Sequence, residues 1–141
     1  MVHAANDNSA ITYLTVCSGI EGPSVAWEPL GGFQPGFFSE IEPFPSAVLD
    51  HHFPNVPNLG DLTKINGADW LGKVDLLWGS TPCQSLSVAG NRAGLSDPRG
   101  QLTLKFVELA DTINPTFTAW ENVKNALSVQ NGGLPHRRAA S

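Results

Sequence analysis

With 141 residues the chain can build one domain with a real core, and its low charged fraction with 14 Gly and 11 Pro suits an α/β domain rich in tight turns. A formal net charge of −5 gives no bulk support for nucleic-acid binding, so a DNA partner requires a local basic surface or one supplied by further sequence. Cys17 and Cys83 form neither a disulfide framework nor a C-x-x-C metal or redox pair; residues 1–10 lack the apolar stretch of a signal peptide, and no apolar run approaches the ~20 residues that cross a membrane, which leaves no metal site and a reducing cytoplasm as the default.

Residues 1–10 read as a disordered tail. Residues 11–17, ITYLTVC, are β-branched and apolar without alternation, the pattern of a strand buried on both faces of a parallel sheet. The turn Ser18-Gly19-Ile20-Glu21-Gly22 follows, then a short helix opened by Pro23, cut off by Pro29 and closed by Gly31-Gly32. Residues 36–41, GFFSEI, predict a second strand, and Pro43 to His52 a second helix closed by Phe53-Pro54. Asn58 to Leu62 is a candidate short third strand, with a weak helical stretch near Lys64 to Leu71. Residues 74–79, VDLLWG, predict the next strand. Residues 80–99 are a long Ser-, Gly- and Pro-rich loop, which in a compact domain is functional or disordered. Apolar positions from Leu102 to Ala110 recur at helical spacing over residues 100–113; Pro115 ends that helix, and TFTAWENV reads as another buried strand.

Strands alternating with helices imply a parallel sheet covered on both sides, with ligands beyond the carboxyl ends of the strands. Each of those ends carries one polar or reactive group. A Gly-rich turn at residues 18–22 lets a ligand approach the backbone, although it is not G-x-G-x-x-G and is equally a plain βα turn. Glu40 could accept hydrogen bonds from the ribose hydroxyls of an adenosine-containing cofactor, or be a solvated loop residue; Asp61 carries the same two readings. Cys83, in Pro82-Cys83-Gln84 at the mouth of the loop, is poorly placed for core packing and well placed for nucleophilic attack as a thiolate. Glu121, in Glu121-Asn122-Val123, could donate a proton to a ring nitrogen, or be an acid at a helix start.

The segments SGIEG, FFSEIEPFPSAVL, NLGDLTKI, TPCQSLSVAGNRAGLSDPRGQL and WENV, in this order, resemble the DNA cytosine-5 methyltransferases, especially compact bacterial and phage-type members. The resemblance covers about residues 11–133 and implies a truncated Rossmann-like S-adenosylmethionine-dependent methyltransferase fold with a mostly parallel sheet. It implies DNA methylation of the restriction-modification kind, on cytosine flipped out of duplex DNA. The Cys83 thiolate would attack carbon 6, Glu121 would protonate or hydrogen-bond ring nitrogen 3, and Asn122 would support Glu121 and the Pro82 peptide. For the cofactor, Ser18, Gly19 and Ile20 would line the methionine part, Cys17 would stand at the position whose usual Phe contacts the adenosine, Glu40 would bind the ribose, and Ile41 would pack on the adenine. Asp61 and Leu62 would face the adenine edge, with Pro82 and Leu102 closing the pocket. Residues 84–99 would form a mobile DNA-binding loop, with Gln84, Ser85, Ser87, Arg92 and Arg99 as its contacts.

Thr15 and Cys17 stand where that family usually has an acidic residue and a Phe, Ser80 stands for a common Gly, and Lys124 for a frequent Pro. Residues 134–141 resemble no part of the family and are expected to be an unstructured tail on a truncated or split enzyme. DNA target recognition would then come from a complementing C-terminal polypeptide, and this chain alone would be inactive. Two other readings are a non-catalytic remnant that binds S-adenosylmethionine or a partner, and an unrelated cysteine hydrolase. The hydrolase is disfavoured because His51, His52 and His136 form no evident arrangement with Cys83.

Overall fold

In a computed structural model, residues 10–82 and 98–123 are described. Four strands form one parallel sheet: β1 (Ile11–Val16), β2 (Phe33–Phe37), β3 (Leu76–Gly79) and β4 (Phe117–Trp120), in the order β2-β1-β3-β4. Among the described residues three α-helices accompany them: α1 (Gly22–Trp27), α2 (Pro43–His52) and α3 (Pro98–Ile113). The chain builds outward from β1 in both directions, so the sheet reverses its winding between β1 and β3. A crevice opens at such a switch point, beyond the carboxyl ends of the strands.

β1 is central, and its alternating side chains serve two cores. Leu14 and Val16 join Leu77, Phe106, Leu109 and Ile113 under α3, whereas Tyr13 packs with Phe38 and Leu49 on the other face. Gly79 lets α3 approach closely: a Cβ there would stand 2.5 Å from the Phe106 ring. Among the described residues, no helix is long and apolar enough to cross a membrane.

Several boundaries differ from the sequence expectation. The second strand is Phe33–Phe37 rather than residues 36–41, and Pro35 is tolerated inside it because β2 lies at the edge of the described sheet. Phe38 leaves that ladder to form an isolated parallel bridge with Asn58, which is all that remains of the expected third strand at Asn58–Leu62. The left-handed Gly60 (φ 69°) ends any extension there. The helical stretch near Lys64–Leu71 is two 3-10 turns, Leu62–Lys64 and Gly67–Trp70. Asp61 and Asn66 start them by accepting from the Thr63 and Ala68 amides. The last strand is shorter than TFTAWENV and is not buried on both faces; as the other edge strand it leaves Phe117 59% exposed.

Candidate active site

The turn after β1 is held in an uncommon backbone. Cys17, Gly19 and Glu21 all have positive φ, near 53°, 56° and 64°, a region at home only for the glycine. Hydrogen bonds keep it there. The Ser18 amide donates to the Ser39 carbonyl (3.1 Å), the Ser39 amide to Ser18 Oγ (3.0 Å), and the Glu21 amide to the Ser18 carbonyl (3.1 Å). Beneath the turn, the wholly buried Glu21 carboxyl accepts from the Thr15 and Ser24 hydroxyls, and Tyr13 Oη lies 2.6 Å from Ser24 Oγ. Burial raises the Glu21 pKa, against the pull of the Ser24 and Thr15 hydroxyls. Burial, with the Glu40 charge second, pushes the Cys17 thiol up to about 11.

Glu40, just past β2, is already engaged. One carboxylate oxygen accepts from the Gly19 amide (2.8 Å), the other from the Ile41 and Glu42 amides (both 2.8 Å). A carboxylate offers about four acceptor sites, so room remains for about one further donor rather than for two ribose hydroxyls unshared. Asp61 sits where the chain turns from Gly60 into the 3-10 helix. Its Oδ1 accepts from both the hydroxyl and the amide of Thr63, which hold its pKa below the ordinary value, the hydroxyl contributing most.

These elements enclose a cleft of about 260 Å³. Its polar side is Glu40, Asp61 and the Cys17 thiol; its apolar side is Ile41, Leu62, Pro82 and Leu102. So the structure brings together most of the residues singled out for the cofactor. Ser18 and Gly19 stand behind the wall as its supports, and Ile20 points away, 60% exposed. Ser39, Glu42 and Gly60 also line the cleft and were not foreseen. Ser39 Oγ donates to the Gly60 carbonyl at 2.7 Å, tying the end of β2 to the Asp61 turn. The Gly-Asp pair at residues 60–61 is a turn signal that could have flagged one of the three.

The ends of β3 and β4 share a polar node. Thr81 Oγ1 accepts from Trp120 Nε1 (2.9 Å) and lies 3.0 Å from Thr103 Oγ1 on α3; both threonines are buried. The Thr81 carbonyl, which belongs to the peptide joining Pro82, accepts from Asn122 Nδ2 at 2.9 Å. The Glu121 amide continues the ladder to the Gly79 carbonyl (2.9 Å), leaving the Glu121 side chain exposed. Cys83, Gln84, Ser85, Ser87 and Arg92 lie outside the described residues; Arg99 is in α3, its side chain outside the description. Among the described residues no cluster of three or more His, Cys, Asp or Glu could hold a metal ion.

The donor set suits S-adenosylmethionine. Apolar side chains can cover a purine, carboxylates can accept from its amino group and a ribose hydroxyl, and an acidic wall suits a cationic sulfonium.

Comparison with known proteins identifies the family. A family model for C-5 cytosine-specific DNA methylase matches residues 11–138. A DNA N-6-adenine-methyltransferase of Escherichia phage P1 is 53% identical in an alignment 131 residues long that covers 84% of this chain and 17% of that protein. The orphan methyltransferase M.SPRI of Bacillus phage SPR is 37% identical over 122 residues, covering 84% of this chain and 28% of the relative. The chain thus spans less than a third of either relative's length. The S. pombe Dnmt2 methyltransferase structure shares the fold, with a TM-score of 0.68 at 22% identity over 86% of this chain and 38% of that one. The chain belongs to the C-5 cytosine-specific DNA methylase family.

Proposed function

We propose that this chain provides the S-adenosylmethionine cleft and the catalytic strand ends of a DNA cytosine-5 methyltransferase. The observation that carries the reading is that Pro82, the residue before Cys83, walls the same cleft as Glu40, Asp61 and Leu102, while Asn122 holds the Thr81–Pro82 peptide. The bound cofactor supplies an electrophilic methyl group. Ile41 and Leu62 would cover its purine, Asp61 would accept from the purine amino group, and Glu40 would take one ribose hydroxyl. On the substrate side, the Cys83 thiolate bonds to carbon 6 of an extruded cytosine while Glu121 protonates or hydrogen-bonds ring nitrogen 3. Carbon 5 thereby becomes nucleophilic and would take the methyl group as the sulfonium S–CH3 bond breaks, leaving the cofactor as a neutral thioether. Transfer of the carbon 5 proton to a water molecule would restore the ring double bond and expel the Cys83 thiolate.

The phage P1 relative is named for adenine N-6, but methylating an exocyclic amine needs no thiol adduct, since the nitrogen can itself attack. The family match and the Cys83–Glu121 pair favour carbon 5 of cytosine here. Target-site reading is assigned to the part of the relatives' length that this chain does not span.

Calorimetry with S-adenosylmethionine tests the cleft. Covalent trapping on duplex DNA carrying a mechanism-based cytosine analogue, with the C-terminal portion of a relative supplied in trans, tests the chemistry. Trapping should vanish in Cys83→Ser and survive in Cys17→Ser. Cofactor binding with no trapping in any combination would favour a non-catalytic binding remnant.

A further inference from the structure

Glu21 is the one charged residue wholly withdrawn from solvent among the described residues, and the chemistry above does not use it. A buried carboxyl is costly unless its oxygens are satisfied, and here two hydroxyl chains satisfy them. Each hydroxyl has one proton to give. Ser24 gives its proton to Glu21 and so accepts from Tyr13; Thr15 gives its proton to Glu21, which leaves its oxygen to accept from Ser18 Oγ, 2.7 Å away, whose proton the Thr15 and Ser39 carbonyls at 3.1 and 3.3 Å share. Ser18 Oγ in turn accepts from the Ser39 amide in the cleft wall. One carboxyl thereby terminates a network running from α1, through β1, to the end of β2.

We propose that Glu21 is a positioning residue for the cofactor: by terminating both hydroxyl chains it locks the turn 17–21, with Cys17, Gly19 and Glu21 at positive φ, and so fixes the Cys17 wall and the Gly19–Glu40 contact of the cleft. The inference rests on the reading of that cleft as the S-adenosylmethionine site. Glu21 itself touches no part of the cleft surface. Its effect reaches the cleft through Thr15, buried beneath the turn, and Ser18, which braces Ser39, while Ser24 holds the other carboxyl oxygen and so keeps Glu21 itself in place.

Tyr13, the chain's single tyrosine, provides a readout independent of the cofactor. Burial raises its pKa most; the Ser24 hydrogen bond lowers it, and the Glu21 and Glu28 charges raise it. In an alkaline absorbance titration of the full chain, Glu21→Gln should lower the Tyr13 midpoint and Ser24→Ala should raise it. Both variants should weaken S-adenosylmethionine binding in calorimetry, Glu21→Gln by about tenfold, as for loss of a hydrogen bond to a charged group. Glu21→Gln also removes a buried charge, so its unfolding midpoint should not fall; affinity lost without stability separates positioning from general support. If Glu21→Gln does not fold, Ser24→Ala carries the test. Unchanged affinity in the folded variants, with wild-type binding intact, would overturn the inference alone. No binding by the wild-type chain would overturn the cofactor reading and this inference with it.

Discussion

Trp120 Nε1 donates to Thr81 Oγ1 at 2.9 Å, which joins the last residue of β4 to the residue before Pro82. The same hydroxyl meets Thr103 of α3 at 3.0 Å, so three elements converge on one buried side chain. Thr81→Val keeps the shape but orphans the indole N–H and the Thr103 hydroxyl. A loss of about 1–3 kcal/mol is expected in urea unfolding, the cost of buried groups left unpaired. Thr81→Ser should recover most of it. Equal stabilities for the Val and Ser variants would show that the hydroxyl does not matter.

Gly79 faces the Phe106 ring closely enough that a Cβ would lie 2.5 Å from it. Gly79→Ala should therefore cost about 1–3 kcal/mol by overpacking. Phe106→Leu leaves a cavity by itself but should be partly compensated in the double variant. A double-mutant cycle reads the coupling, which should be favourable by more than about 0.5 kcal/mol for residues in contact. Strict additivity would mean that α3 shifts away freely.

Where local chemistry decides an element, the sequence was legible. The second helix is Pro43–His52 as expected, because Pro43 suits a first helical turn and Phe53-Pro54 cannot continue it. The second strand was displaced because Pro35-Gly36 looks like a turn, and only its edge position makes it strand. The expected strand at Asn58–Leu62 needed a partner ladder that Phe38 alone cannot supply. At the cleft, Glu40 and Asp61 stand out in the sequence by their places near expected strand ends, whereas the three amides that Glu40 accepts from do not. In the sequence Glu21 shows only as part of a turn, since no residue type announces a carboxyl folded back under its own loop.

The two cysteines should differ sharply in reactivity. Burial, with the Glu40 charge second, places the Cys17 thiol at about 11, so at pH 8 only roughly one molecule in a thousand carries the reactive thiolate. A chromogenic disulfide reagent should therefore modify native Cys83→Ser protein slowly and denatured protein quickly. The unmutated chain should show one fast thiol, assigned to Cys83 from its place in the sequence. Rapid modification of native Cys83→Ser protein would contradict a protonated, walled-in Cys17.

Glu21 and Asp61 should shape the pH dependence of stability from opposite sides. Burial raises the folded pKa of Glu21 above its ordinary value of 4.5. Above 4.5 the unfolded chain has released a proton that the folded chain still holds, so stability falls as pH rises through that window. The Glu21 contribution is fully present below the unfolded value and lost above the folded one. Asp61 behaves inversely, because the Thr63 hydroxyl and amide lower its pKa from 3.8: its contribution is present above that value and disappears as pH falls through the folded one. Urea midpoints measured from about pH 3 to pH 8 should therefore decline in the wild type on the alkaline side of the Glu21 window. Glu21→Gln should flatten that decline and leave the acid limb alone, while Asp61→Asn should do the reverse. Parallel profiles for wild type and Glu21→Gln would mean that this carboxyl titrates alike in the folded and unfolded chain, and that the hydroxyls of Thr15 and Ser24 fully offset its burial.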